Sequence, residues 1–337
     1  MPTLKDIAKL AGVNVSTISR ALKDSPEINA ETKRKILKIA SELNYFSRKF
    51  SENVVSKSYT IGLIAPEIES NFYSQLVSTI EKRITAQGYS LITGFTNFEY
   101  EEEVRFLNIF AHRGVDGIVL IRSLDARTIE DLRTFKTSYD IPVILVETKH
   151  ELEIYDCLKI DDYLGVSMAV EHLAELGHTH IGYIGDTLSA HRKAPFVDTL
   201  QKHGIKVNDN LVRIGEDRFE EGGYKRMNEL LSQKKVPTAV FASYDSIAIG
   251  AMKAIFDKGL RIPEDISIIS IDNIKVSGYL YKALSTVSVP VNNLGDISTR
   301  ILFSKINDKT SEVVQHVVLK PQLMVRETTA APRDNAD

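Results

Sequence analysis

The sequence predicts an α/β fold: a small all-helical module followed by a doubly wound body of parallel sheets. Three observations carry that prediction. Residues 3–43 show only helical spacing, with no strand-like run. From residue 59 onward, apolar runs of strand length alternate with amphipathic stretches of helix length, the pattern of parallel strands covered by helices on both faces. Charge is also divided: residues 1–50 carry ten Lys/Arg against five Asp/Glu, a net +5, whereas the remainder is net −8.

The elements follow in order. Thr3 and Asp6 have the spacing of a capping box, and Leu4, Ile7, Ala8 and Ala11 then form one apolar face. Gly12 stands where the chain must turn, which calls for positive φ. Asn14 is read as the N-cap of a second helix, in which Ile18, Ala21 and Leu22 face the first helix while Ser16, Ser19 and Arg20 face away, with Val15 at the border. A third helix is seeded near Asn29 and runs through ETKRKILKIASEL. Two short helices around a tight turn, with a polar face on the second and local positive charge, suit the major groove of DNA.

The body begins with YTIGLIA at residues 59–65, followed by YSLITG, DGIVLI, PVILVE, HIGYIG, TAVFAS and ISIISID. The runs fall into two sets, before and after about Asp161, which predicts two similar lobes with a cleft between them. Doubly wound sheets bind ligands at the carboxyl ends of their strands.

Several chemistries are excluded or set aside. No phosphate-cradling GxxxxGK[ST] occurs, no GxGxxG follows a strand, and no apolar run reaches membrane-spanning length. Cys157 is the sole cysteine; it is read as a small apolar residue in the run DCLKI rather than a nucleophile, and it fits a reducing cytoplasm. The N-terminus lacks a basic-then-apolar signal pattern. His172, His178 and His180 invite a metal reading, but without an acidic or thiolate partner a surface loop is expected instead. Asp161 and Asp162 are read as caps of the helix YLGVSMAVEHL. No nucleophile–base pair stands out, so no catalysis, cofactor or metal is expected.

The runs LKDIAKLAGVNVSTISRAL and KDSPEINAETKRKILKIASELNY closely resemble the DNA-binding domain of the lac repressor/gal repressor family of bacterial transcription regulators. The resemblance continues through EHLAELGHTHIGYIG, ASYDSIAIGAMKAIFDKGLRIPEDISIISIDN and LSTVSVP to about Thr328. It implies a helix–turn–helix domain over 1–47, a hinge over 48–58 and an effector-binding and dimerisation domain over 59–330. That last domain is expected to be two-lobed and similar to periplasmic sugar-binding proteins, with lobe one at 59–160 and 290–318 and lobe two at 161–289 and 319–330.

The resemblance also implies site residues. Val15 and Ser16 would read bases and Arg20 would contact guanine, while Asn14, Thr17, Ser19, Asn29, Thr32 and Tyr45 would meet phosphates. In the hinge FSRKFSENVVSKS, Val54 holds the position of the leucine that wedges into the minor groove, while Ser47 and Ser51 replace the usual Pro and Ala. For an effector, Arg192 in RKAPF matches the cleft arginine, with Pro195 where Gly is usual; Phe219 matches a stacking aromatic; Asp272 and Glu147 match carboxylates that accept sugar hydroxyls. Tyr244 stands where Asn is common and is expected to alter sugar choice, and Asp245 beside it is available to cap the following helix. Asn71, Phe72 and Arg122 are further expected contacts.

The expected function is therefore a cytoplasmic, homodimeric, operator-binding repressor controlled by a sugar, with galactose or a galactoside the specific expectation. A dimer matches a pseudo-palindromic operator, and the tail TAAPRDNAD has no leucine heptads for a tetramer. The alternatives are a nucleobase-responsive, corepressor-dependent regulator and a sugar-binding transport protein. The headpiece argues against the last.

Overall fold

The computed structural model describes residues 3–22, 25, 27–43, 57–121, 127–147, 153–308, 310 and 313–333. The first three helices are α1 (Leu4–Ala11), α2 (Val15–Ala21) and α3 (Ala30–Glu42). The Asp6 carboxylate reaches back to accept the Thr3 N–H at 2.6 Å and the Thr3 hydroxyl at 2.8 Å, which holds the start of α1. Gly12 ends it at φ 71°, as its place in the turn requires. Ile7, Ile18 and Ile36, one from each helix, are completely buried. Asn14 stands at the N-cap of α2 but makes no side-chain cap bond, so its side chain serves the surface rather than the helix end.

The rest of the chain builds two six-stranded sheets. The first holds β1 (Thr60–Ala65), β2 (Ser90–Phe95), β3 (Gly117–Ile121), β4 (Val143–Val146), β5 (Asp156–Ile160) and β11 (His316–Leu319), in the order β11-β5-β4-β3-β1-β2. The second holds β6 (Ile181–Asp186), β7 (Val212–Gly215), β8 (Ala239–Ala242), β9 (Ser267–Asp272), β10 (Ser285–Ser288) and β12 (Gln322–Met324), in the order β12-β10-β9-β8-β6-β7. The same order is thus used twice. In each sheet the first strand lies between the second and the third, and these pairings are parallel. Where the order reverses, beside β1 and beside β6, consecutive connections leave in opposite directions and open a crevice at the strand carboxyl ends.

Contacts divide the chain into two compact units, residues 1–159 with 292–317 and residues 160–291 with 318–337. The first unit's sheet carries α4 (Asn71–Ala86), α5 (Tyr100–Arg113), α6 (Arg127–Ser138) and α11 (Val291–Asn307), the last beginning at the boundary. The second unit holds α7 (Asp162–Glu175), α8 (Lys193–Lys202), α9 (Phe219–Leu231) and α10 (Asp245–Asp257). Central strands are apolar throughout because both faces are covered: β3, β4 and β8 are buried at every residue.

Three of the sequence expectations are corrected here. Of the three histidines only His180 lies in a partly exposed loop. His172 lies within α7, its Nε2 2.9 Å from the Thr329 hydroxyl, and His178 is 1 % exposed, bonded to Thr238 Oγ1 at 2.9 Å and to the Ala330 carbonyl at 2.8 Å. They tie the C-terminal strand-like segment to the sheet, and burial holds the pKa of His178 below its ordinary value. Among the described residues no group of three or more His, Cys, Asp or Glu is placed to hold a metal ion. Of the acidic pair, only Asp161 caps α7, accepting the Leu164 N–H at 2.9 Å; Asp162 turns to an arginine instead. Asp245 is no exposed cap either, being completely buried among four donors.

Helices α9 and α10 approach backbone to backbone. A Cβ on Gly223 would lie 2.0 Å from the Ile247 carbonyl oxygen, and one on Gly250 would lie 1.9 Å from that of Glu220. Substituting Gly250→Ala therefore forces the helices apart. Overpacking of this kind costs about 1–3 kcal/mol, and urea unfolding should show the midpoint falling accordingly; an unchanged midpoint would contradict the packing described.

Candidate functional site

Two surfaces collect the candidate residues. On the helical module, Val15 and Ser16 open α2 and are exposed, Val15 by 39 %, although an apolar side chain gains by burial. Arg20 lies on the same outward side and pairs with Glu27 at 3.0 Å, but both side chains are more than half exposed, so the pair is weak and exchangeable. Asn14 is exposed, and Thr17 and Ser19 are half-buried. The Asn29 side-chain oxygen caps α3 by accepting the Thr32 N–H at 2.7 Å. Tyr45 and Val54 lie outside the described residues, as does Arg122.

The second surface is the carboxyl edge of the second sheet. Asp186 ends β6 and Asp272 ends β9, while Ser243 and Tyr244 follow β8 directly. Arg192 precedes α8. Its Nε donates to Asp162 Oδ1 at 2.9 Å, its Nη2 lies 2.6 Å from the same oxygen, and its Nη1 donates to the Ser243 carbonyl. The fork expected for vicinal hydroxyls is thus partly occupied by the protein, with three of five N–H donors engaged. Pro195 is accommodated within the first turn of α8, where its missing N–H has no helical partner to lose.

The electrostatics follow from this geometry. Burial alone would raise the Asp162 pKa, but the Arg192 charge and the His191 ring, 3.1 Å away, outweigh it and hold the carboxyl well below the usual range. Burial likewise opposes the Arg192 charge, yet Asp162 and then Asp272 keep the guanidinium firmly protonated. Asp272 and Arg192, placed together by resemblance alone, therefore share one electrostatic site.

Phe219 opens α9 with φ 54°, and Asp272 has φ 120°, followed by Asn273 at 56°. These are left-handed conformations that L-residues with side chains adopt only when their surroundings impose them; such strain collects at ligand clamps. The Tyr244 hydroxyl donates to Asp186 at 2.5 Å and accepts the Phe219 N–H at 3.1 Å, and its ring meets the Phe219 ring edge-on at 6.2 Å. Burial, reinforced by Asp186, pushes the Tyr244 pKa up and keeps the hydroxyl protonated. Its polar group is therefore committed within the protein. The Arg218 guanidinium lies 4.4 Å over the Phe219 ring, with Nε 3.7 Å from Asp186.

In the first unit the candidates also sit at strand carboxyl ends. Asn71 and Phe72 begin α4, held by the Ser70 hydroxyl accepting the Tyr73 N–H at 3.2 Å; Phe72 meets the Tyr73 ring edge-on. Glu147 follows β4 at φ 54°, its N–H donating to the Leu158 carbonyl at 2.8 Å. Asp162, Asp186, His191 and Arg218 were not expected as site residues. One signal was available: Asp186 ends the apolar strand HIGYIG just as Asp272 ends ISIISI.

Comparison with known proteins identifies both parts of the chain. Residues 3–47 match bacterial regulatory proteins of the lacI family, and residues 170–329 match a periplasmic binding protein-like domain. The HTH-type transcriptional repressor PurR of Pasteurella multocida is 32 % identical over 334 residues, 97 % of this chain and 98 % of that protein. The chain belongs to the LacI family. As a family member it is a DNA-binding transcription regulator. Among solved structures, the lac repressor dimer bound to operator and the anti-inducer ONPF is similar with a TM-score of 0.71 and 26 % identity, covering 98 % of this chain and 99 % of that one. A LacI family regulator from Enterococcus faecalis V583 with bound ribose gives 0.68 and 30 %, over 81 % and 99 %. The two-sheet α/β body behind a helix–turn–helix is the family architecture.

The site generates a pH prediction. The folded pKa of Asp162 lies below its unfolded value, so its stabilisation is complete above the ordinary carboxylate pKa and is lost as pH falls through and below about 4. Asp162→Asn should melt below the wild type at pH 7, and thermal melts should show the gap narrowing as pH drops below about 4. A gap independent of pH would contradict the pairing.

Proposed function

We propose that this regulator is a cytoplasmic homodimeric repressor. One copy of α2 would read each half of a pseudo-palindromic operator, and an uncharged polyhydroxylated effector bound at the carboxyl edge of the second sheet would set its DNA affinity. The carrying observation is the strained, pre-set backbone of Phe219 and of Asp272, whose carboxylate shares an electrostatic site with Arg192. A flat apolar ring beside a carboxylate and a guanidinium with spare donors suits the apolar face and hydroxyl rim of a sugar.

Charge selects among sugars. Asp162, Asp186 and Asp272 outnumber Arg192 and Arg218, so the net negative charge would repel a phosphorylated sugar but not a neutral one. The ribose bound to the Enterococcus faecalis relative supports a sugar effector, and galactose or a galactoside remains the specific proposal. Glu147, Asn71, Phe72 and Arg122 are proposed as contacts from the first unit. The dimer in the operator-bound lac repressor structure and the repressor named among the relatives support homodimeric repression. The Val54 wedge remains part of the proposal, to be tested with the hinge.

A second reading, a nucleobase acting as corepressor, is favoured by the Phe219 ring, since an aromatic face can stack on a planar heterocycle. A thermal-shift screen separates the two: galactose, a β-galactoside and ribose against adenine, guanine and hypoxanthine. A true effector at about 100 times its Kd adds about 2.7 kcal/mol of stability, and Asp272→Ala should abolish the shift. No response to any of these compounds would overturn the effector reading.

DNA reading is tested apart from the effector. Arg20→Ala should weaken operator binding by about 1–3 kcal/mol and relax discrimination at one base pair. Thr17→Ala should weaken all sequences alike. Fluorescence anisotropy on operator and scrambled DNA distinguishes these outcomes; equal loss on both DNAs for Arg20→Ala would assign it to phosphate instead.

A further inference from the structure

Tyr244 and Asp245 are adjacent, yet their side chains hold two different strained segments. Tyr244 precedes α10 in extended conformation and takes the Phe219 N–H on its hydroxyl, which itself donates to buried Asp186. Asp245 is completely buried. Its Oδ1 accepts the Ser270 hydroxyl of β9 and the Thr286 hydroxyl of β10, each at 2.6 Å. Its Oδ2 accepts the Ile274 N–H at 2.8 Å and lies 2.6 Å from the Ser277 hydroxyl, which also meets the Ile274 carbonyl. One oxygen thus serves the sheet, and the other serves the turn that leaves Asp272 and Asn273.

We propose that the Tyr244–Asp245 pair is a positioning element: Tyr244 locks Phe219, and Asp245 locks the Asp272–Asn273 turn, in the left-handed conformations that an effector meets. The inference rests on the reading of Phe219 and Asp272 as effector contacts, and it assigns neither Tyr244 nor Asp245 a contact of its own. Three further observations support it. The Phe219, Asp272 and Asn273 backbones are all left-handed. The Ile274 N–H donates to Asp245 Oδ2 and the Ile274 carbonyl meets the Ser277 hydroxyl, so both backbone polar groups of the residue that follows the turn are held. Asn273 is braced from the other side by Arg326 Nη2, 2.6 Å from its side-chain oxygen, so the turn is over-determined.

Geometry also explains why the two locks share one element. Helices α9 and α10 meet at Gly223 and Gly250, where no side chain keeps the backbones apart. The Asp245 side chain runs between β9 and β10. A change in α10 would therefore move both site residues together.

Amide hydrogen exchange on the intact, ligand-free chain tests this directly. Tyr244→Phe keeps the ring and removes both hydroxyl bonds. Exchange at the Phe219 amide should rise about tenfold or more, in keeping with loss of a hydrogen bond anchored on a charged group, while Ile274 is unchanged. Ser277→Ala should raise exchange at Ile274 and leave Phe219 unchanged. Ser270→Ala, which removes a donor from Oδ1 instead, should lower the melting temperature without selective exchange at Ile274. A uniform rise across the second unit in all three variants, or no rise at Phe219 in Tyr244→Phe, would overturn the proposal and leave these residues as ordinary core. Whichever compound stabilises the wild type then provides the functional readout: Tyr244→Phe should raise its half-saturating concentration about tenfold. Because exchange is read without ligand, it judges positioning even if the effector reading fails in the Asp272→Ala screen.

Discussion

Four donors converge on the buried Asp245 carboxyl, and this convergence fixes where the second sheet ends and its site begins. A carboxyl group removed from water is costly unless its oxygens are satisfied. Here they are satisfied by two strands and by the turn beyond them. The same atoms therefore stabilise the sheet and impose a backbone conformation on the residues that follow it. Strained residues cost about 1–3 kcal/mol each, and they persist only where the surroundings leave no relaxed alternative. Asp245 for Asp272, and Tyr244 for Phe219, supply that constraint.

The repeated strand order places this site. A parallel sheet whose first strand lies inside its second sends successive connections to opposite sides, and the loops diverge at its carboxyl edge. Asp186, Ser243 and Asp272 are the last residues of β6, the first after β8 and the last of β9, so they meet there for topological reasons. The first sheet has the same order, and Asn71 and Glu147 occupy the corresponding edge of that unit. The helical module needs none of this. Its three helices close around Ile7, Ile18 and Ile36 and leave Val15, Ser16 and Arg20 outside. Recognition of DNA and recognition of a small molecule are thus built by separate physical means, and regulation requires a free energy that links them.

The fold was legible in the sequence where burial is two-sided. Runs such as TIGLIA, GIVLI and SIISI are continuous apolar segments of strand length, and each forms a strand. By contrast, β7, β11 and β12 are short and half-exposed, and their residues become strands through pairing with a neighbour rather than through any local pattern. The site divides the same way. Gly12, Asn29 and Asp161 act within four residues of themselves and were readable. The Asp162–Arg192 pair spans 30 positions, and the bond from Thr286 to Asp245 spans 41. No periodicity carries such distances. His178 was misread for that reason: its partners, Thr238 and Ala330, are brought to it only by the completed sheet and the returning C-terminal segment.

Thermodynamic linkage gives the central claim its most direct test. If the effector at the second sheet's edge and operator DNA at α2 act on one equilibrium, each must change the other's affinity by the same factor. Isothermal titration of the effector identified by thermal shift, with and without saturating operator, measures that factor from one side, and operator titration with and without effector measures it from the other. Equal factors of about 5–150 are predicted. Effector affinity indifferent to operator would contradict a regulator that links the two surfaces.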